Sequence, residues 1–121
     1  MTKEEFEKYE EMQDAFQMRC EMICHILSPL KDAYNYVYEF EIDGDFVECE
    51  GEERYPYGGR EKHYAEFPKH YIYMDDKEIQ KIVDDELKMR DDEKARKKAI
   101  DEQIKVENEK AEYERLKQIY G

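Results

Sequence analysis

Three cysteines and a neighbouring histidine are the residues of this chain whose spacing best suits a metal ion. Cys20 and Cys24 lie four residues apart, and His25 follows directly. On a helix, two thiolates at this spacing share one face and could bind Zn²⁺. Both cysteines also fall on the apolar stripe of the predicted helix, and Cys49 falls on the apolar side of a predicted strand. A buried free cysteine behaves as a small hydrophobic residue, so we predict core packing, no metal site and no cofactor.

The sequence indicates acid–base catalysis and phosphate binding less clearly than it indicates a metal ion. His63, paired with a glutamate, could transfer protons, but neither it nor His70 is accompanied by a nucleophile motif, and the chain has one serine and one threonine. The run Gly58-Gly59-Arg60 lacks the strand–loop–helix context of a phosphate-binding loop. The acidic residues of 41–48 lack the twelve-residue spacing of an EF-hand. We therefore predict no catalytic residues and a protein that is not an enzyme.

The charge of the chain excludes several partners. The 121 residues include 20 Lys and Arg against 33 Asp and Glu, a net charge of −13. A protein that binds nucleic acid directly, or docks on an anionic membrane, needs clustered cations. No stretch approaches the roughly 18 apolar residues of a spanning helix, and the acidic first residues are unlike a signal peptide. We expect the protein to stay in the cytoplasm of the host cell that makes it.

Two helices are predicted, one at each end of the chain. Thr2 and Glu5 form a capping box, and apolar residues then recur every three or four positions as far as Leu27, which predicts a helix over residues 2–28. A second capping box begins the segment 76–121, which carries dense charge and sparse apolar residues. We predict a single domain, in which a body of residues 1–75 is followed by a long helix over residues 76–121 that mediates self-association or spans a partner.

An antiparallel sheet is predicted between the helices. Residues 36–52 alternate apolar and acidic around Asp43-Gly44, which favours a β-hairpin with Ile42 opposite Asp45. Residues 61–67 and 70–74 indicate further strands, giving three or four in all. The fold class is therefore α+β, with the N-terminal helix packed on this sheet and the long helix after it.

The excess negative charge is concentrated in the hairpin. Residues 32–53 contain nine acidic residues and no basic one. Because alternate residues of a strand point the same way, the glutamates should share one face of the sheet, next to tyrosine-rich loops. Tyrosine is enriched at the centres of protein interfaces. We predict that the partner-binding residues are Glu39, Glu41, Glu48, Glu50, Glu52, Tyr55 and Tyr57.

Size, acidity and the run Glu39–Glu53 resemble small acidic anti-defence proteins encoded by phages, including anti-CRISPRs. That resemblance implies stoichiometric inhibition of a nucleic-acid-binding defence effector, with the carboxylates standing in for phosphates. Two alternatives are an oligomeric structural or assembly protein and a sponge for a phosphorylated nucleotide signal. The sponge would use Arg54, Arg60 and Tyr64.

Overall fold

The structure is a computed structural model and describes residues 1–120. Two long helices, three strands and two short 3-10 helices make up the chain. They are α1 (Lys3–Leu27), η1 (Asp32–Asn35), β1 (Val37–Asp43), β2 (Phe46–Arg54), β3 (Arg60–Pro68), η2 (Lys69–Tyr73) and α2 (Asp76–Tyr120). The predicted α+β class, with a helix at each end of an antiparallel sheet, is confirmed. Within residues 1–120, no helix is both long and apolar enough to cross a membrane.

Helix α1 begins at the predicted cap. The hydroxyl of Thr2 accepts a hydrogen bond from the backbone N–H of Glu5 at 3.2 Å. The C-terminal half buries Cys20, Ile23, Cys24 and Leu27, which face the sheet, since the sulfur atoms of Cys24 and Cys49 lie 4.0 Å apart. The apolar stripe also runs through the first half of α1, where the side chains are exposed.

The sheet has the order β1-β2-β3, and both pairs are antiparallel. A two-residue loop of Gly44 and Asp45 joins β1 to β2, and Gly44 has a φ of 59°, which glycine adopts without strain. The register places Ile42 opposite Val47, so the predicted partner Asp45 was wrong by two residues. A shift of two keeps the side chains of residues 39–50 on their predicted faces.

A β-bulge corrects the predicted apolar face at the start of β1. The register shifts between Val37 and Glu39, so Tyr38 is the extra residue and its side chain is half exposed. Val37 takes the inward position instead and lies opposite Gly51. The added residue shifts the alternation of β1 by one position, and the run Tyr36-Val37-Tyr38 does not show where the shift occurs because all three side chains are apolar or aromatic.

The fourth strand that residues 70–74 indicated is absent from the described chain. Pro68 ends β3, and the chain enters η2 at once. The backbone N–H of Lys69 donates to the carbonyl oxygen of Asp45 at 2.8 Å, which ties this end of β3 to the hairpin loop. The sheet therefore has three strands.

The chain divides into two compact units, and the boundary lies within α2. The first unit, residues 1–85, includes the sheet, α1 and the first turns of α2, where Ile79 and Val83 are fully buried. The second unit begins at Glu86 and continues α2 as a charged helix with ion pairs one turn apart, such as Glu93 with Lys97 at 3.8 Å.

Candidate functional site

Six exposed carboxylates lie on the side of the sheet opposite the buried core residues. Glu39 pairs with Glu50 across β1 and β2, and Glu41, Glu48 and Glu66 form a row across all three strands. All of them are exposed. We call this surface the acidic face, and it consists of Glu39, Glu41, Asp43, Glu48, Glu50 and Glu66.

Five of the six residues of the acidic face, all except Asp43, line an open hollow of about 690 Å³. Within residues 1–120, none of the six carboxylates forms a salt bridge. Among the described residues that line the hollow, Lys31 is the one cation, and its Nζ donates to the carbonyl oxygen of Tyr64 at 2.9 Å. The negative charge of this face is thus largely uncompensated by the chain itself.

Glu52 differs from the other predicted glutamates. Its side chain is only 19% exposed, and its Oε1 lies 3.8 Å from Nε of Arg60. Lys62 lies directly across from it on β3. The ion pair with Arg60 offsets the charge of Glu52, which distinguishes it from the residues of the acidic face.

The two predicted tyrosines stack on each other where β2 connects to β3. The rings of Tyr55 and Tyr57 are 5.4 Å apart and nearly parallel. The hydroxyl of Tyr55 donates to Glu61 at 2.5 Å, which holds its ring in place, while Tyr57 is 83% exposed. Tyr57 is therefore the more accessible of the two.

The residues of the predicted nucleotide site are near one another but in an unfavourable environment for phosphate. Arg54 and Arg60 are cross-strand partners, and Arg60 is already engaged by Glu52. Tyr64 lies opposite Glu50 and lines the acidic hollow. The potential around Tyr64 is negative and repels an anionic ligand.

The cysteines lie in the core, as their apolar setting predicted. Cys20, Cys24 and Cys49 are all free and buried. Burial raises the pKa of the Cys20 thiol to about 12, and a hydrogen bond with Cys49, together with burial, raises that of Cys24. Because the thiolate is the form that binds metal, this environment disfavours metal ligation by these two thiols.

Self-association through α2 stays a prediction. The part of α2 in the second unit carries large apolar side chains that are at least two-fifths exposed. They are Met89, Ile100, Ile104, Val106, Tyr113, Leu116, Ile119 and Tyr120.

Crowding of carboxylates changes the ionisation of Glu48. Asp43 accepts a hydrogen bond from the protonated form of Glu48 and repels its ionised form, and this raises the pKa of Glu48 above its ordinary value of 4.5. The folded protein therefore takes up this proton more readily than the unfolded chain does. Ionised Glu48 thus opposes folding, and the penalty is present at neutral pH and disappears as the pH falls below the unfolded value.

Replacing Glu48→Gln should slightly raise the melting temperature at pH 7, because it removes this repulsion. The gain should vanish near pH 4, where the wild-type side chain is itself protonated. Thermal unfolding followed by circular dichroism at both pH values measures it, with Glu10→Gln on the exposed surface of α1 as the matched control. An equal gain at both pH values would contradict the electrostatic origin.

Sequence reasoning missed two members of the acidic face. Asp43 was assigned only to the turn, although it continues the alternation of Glu39 and Glu41. Glu66 lies on β3, and its place opposite Glu48 depends on a register that only the β2–β3 pairing defines. The alternation of residues 60–68 could have placed Glu66 on the same side as Lys62 and Tyr64.

Comparison of the chain with protein-family models, curated proteins and solved structures finds no match.

Proposed function

We propose that the protein is a non-catalytic inhibitor whose acidic face occupies a basic nucleic-acid-binding surface of a partner protein, such as a CRISPR or other defence effector. The observation that supports this most is the set of six exposed carboxylates on one side of the sheet, none of which forms a salt bridge within residues 1–120.

The spacing of these charges suits a surface built for phosphates. Neighbouring strands lie about 4.8 Å apart, and alternate residues of one strand lie about 6.8 Å apart. Duplex DNA presents one negative charge per roughly 1.7 Å of its axis across both strands. A lattice of six carboxylates reproduces a short stretch of such a field, and a channel lined with Lys and Arg attracts it for the same reason.

The arrangement also works against the fold that presents it. Like charges directly opposite each other destabilise a sheet by some tenths of a kcal/mol per pair, and Glu41 lies opposite Glu48. The raised pKa of Glu48 has the same cause. A cationic partner would relieve this repulsion on binding, which favours recognition over mere solubility as the role of the acidic face.

An exposed tyrosine supplies contact area beside the charge. Tyr64 lies opposite Glu50 and is 57% exposed. Tyr57 is more exposed still, but it stacks on Tyr55, whose hydroxyl contacts Glu61 on the other side of the sheet. Aromatic side chains of this kind anchor protein interfaces, while charge complementarity accelerates the encounter. Tyr55 supports Tyr57 through the stacked ring contact.

The test measures binding of a fluorescent deca-arginine peptide, which presents the cationic groups of a nucleic-acid channel. The triple variant Glu39→Lys, Glu41→Lys and Glu48→Lys should weaken binding by more than about tenfold, since close charge pairs carry much of such an interaction. Fluorescence anisotropy gives the affinity, which for the wild type should fall steeply as salt is raised.

A control with the same net charge separates the acidic face from bulk acidity. Glu107→Lys, Glu109→Lys and Glu112→Lys, on exposed positions of α2, also change the charge from −13 to −7, because each substitution adds two positive charges. This variant should bind nearly as well as wild type, because it leaves every carboxylate of the acidic face in place. An equal loss of affinity in both variants would show that the net charge of the chain, and not the acidic face, determines binding, and would contradict the proposal.

A further inference from the structure

A second polar cluster lies on the other side of the sheet, at the end where β2 connects to β3. Glu53 lies directly opposite Glu61, and His63 follows two residues along β3, so all three side chains share the face that carries Val47 and Cys49. We propose that Glu53, Glu61 and His63 bind a divalent transition-metal ion, with Zn²⁺ as the best match to their donor atoms.

The donor atoms are already close to the separation that a metal requires. One ligand atom from each of the three residues lies within 4.8 Å of the other two. Nε2 of His63 and Oε2 of Glu53 are 3.1 Å apart. Two ligands that are each about 2.1 Å from one zinc ion lie roughly 3.4 Å apart in a tetrahedral site, so small side-chain rotations suffice.

The histidine is held in place by its surroundings. Its side chain is only 13% exposed, and its ring stacks on that of Tyr36 with 4.6 Å between centroids. Gly51, directly across from His63, has no side chain, and the backbone of Tyr36 passes close over it. A ligand that is oriented before binding loses less conformational entropy when the metal arrives.

The electrostatics of the cluster favour a cation. Within residues 1–120, neither Glu53 nor Glu61 forms a salt bridge with a lysine or arginine. The hydroxyl of Tyr55 lies 2.5 Å from Glu61 and 3.3 Å from Glu53. Two facing carboxylates that pair with no lysine or arginine of residues 1–120 attract a cation.

The donor set selects the class of metal. Mg²⁺ and Ca²⁺ take oxygen ligands, and the acidic face offers those without any histidine. An imidazole with two carboxylates suits Zn²⁺ and its first-row neighbours. Tyr55 can support the carboxylates as a hydrogen-bond donor, which is the usual role of residues just outside the ligands.

Isothermal titration of ZnCl₂ into the full-length protein tests the proposal. We expect saturable binding of one ion per chain and no comparable binding of Mg²⁺. The affinity for Zn²⁺ should fall by more than about 100-fold in His63→Gln and Glu61→Gln, because loss of a ligand weakens metal binding more than loss of a residue that only supports a ligand. Glu61 is exposed, so its substitution leaves the core intact. Zn²⁺ should also raise the melting temperature of the wild type and not of these variants.

Two controls locate the ion. His70→Gln removes a histidine that is exposed and lies edge-on to Tyr71, and it should bind Zn²⁺ like the wild type. Co²⁺ in place of Zn²⁺ should show no thiolate charge-transfer absorption, which excludes the buried cysteines. The absence of saturable binding, wild-type affinity in His63→Gln, or a thiolate band would each overturn the proposal.

Discussion

Replacing Arg19→Met should lower the free energy of unfolding by about 3 kcal/mol, because one guanidinium donates hydrogen bonds to three backbone carbonyls and one carboxylate. Nε of Arg19 donates to the carbonyl oxygen of Ile72 at 3.0 Å. One terminal nitrogen donates to the carbonyls of Tyr71 and Met74, at 3.2 and 2.6 Å, and the other pairs with the Asp76 carboxylate.

The size of the effect follows from what the substitution leaves behind. Methionine keeps much of the apolar stem of Arg19 but donates no hydrogen bond. The carbonyls of Ile72 and Met74 then lose the Arg19 donor, and that of Tyr71 keeps only the N–H of Met74. Each hydrogen bond to a charged group contributes about 1.5–3 kcal/mol, and water recovers part of the loss where the site is open. Arg19 is 21% exposed, which is why we expect less than the full sum.

Urea unfolding followed by circular dichroism measures this loss. Arg19→Lys should recover only part of it, because an ammonium cannot reproduce the planar fork of a guanidinium. Arg115→Met, an exposed arginine on α2, controls for the change of charge and should be nearly neutral. A loss below about 1 kcal/mol in Arg19→Met would show that η2 is held by other contacts.

The role of Arg19 also explains why the strand predicted at residues 70–74 does not form. Tyr71 and Tyr73 alternate with other residues as strand residues do, and local pattern is all that the sequence offers there. The carbonyls that a fourth strand would have used in a ladder are bound instead by a side chain more than fifty positions earlier. Such a long-range contact cannot be inferred from spacing.

The helices and the faces of the hairpin were predictable because each rests on a local periodicity. The stripe of α1 predicted the buried residues Cys20 and Leu27 correctly, but it continues through Phe6 and Met12, which are exposed. Periodicity indicates which side of a helix is apolar and not how far a neighbouring sheet extends along it.

The acidic face was predictable to the extent that it depends on alternation within single strands. Assigning Glu39 and Glu50 to this face requires only the alternation of residues within the hairpin. Assigning Glu66 to it requires the pairing of β2 with β3. The cluster of Glu53, Glu61 and His63 depends on that same pairing. The spacing of its members along the chain matches no known metal motif, and the cysteines, whose spacing did, were predicted to pack in the core.

Gly51 connects the fold to this cluster, through a close approach of two backbones. A Cβ atom at this position would lie 1.9 Å from the carbonyl oxygen of Tyr36 and 2.5 Å from Cα of Val37. Both obstructing atoms belong to the backbone at the bulged start of β1, so no side-chain rotation can relieve the contact. The first residues of β1 would have to move away from β2, which would also separate Tyr36 from His63.

Replacing Gly51→Ala should therefore lower the free energy of unfolding by about 3 kcal/mol, near the upper end of the range for overpacked sites. Urea unfolding measures the loss, and the near-ultraviolet circular dichroism of the tyrosines should weaken as the stack of Tyr36 on His63 separates. Gly59→Ala is the matched control, because there the nearest atoms are ring carbons of Tyr57 and Tyr55 at 3.3 and 3.4 Å, which can move by a few tenths of an ångström. If the two alanine variants proved equally stable, the close passage of β1 over Gly51 would be wrong, and with it the packing that orients His63.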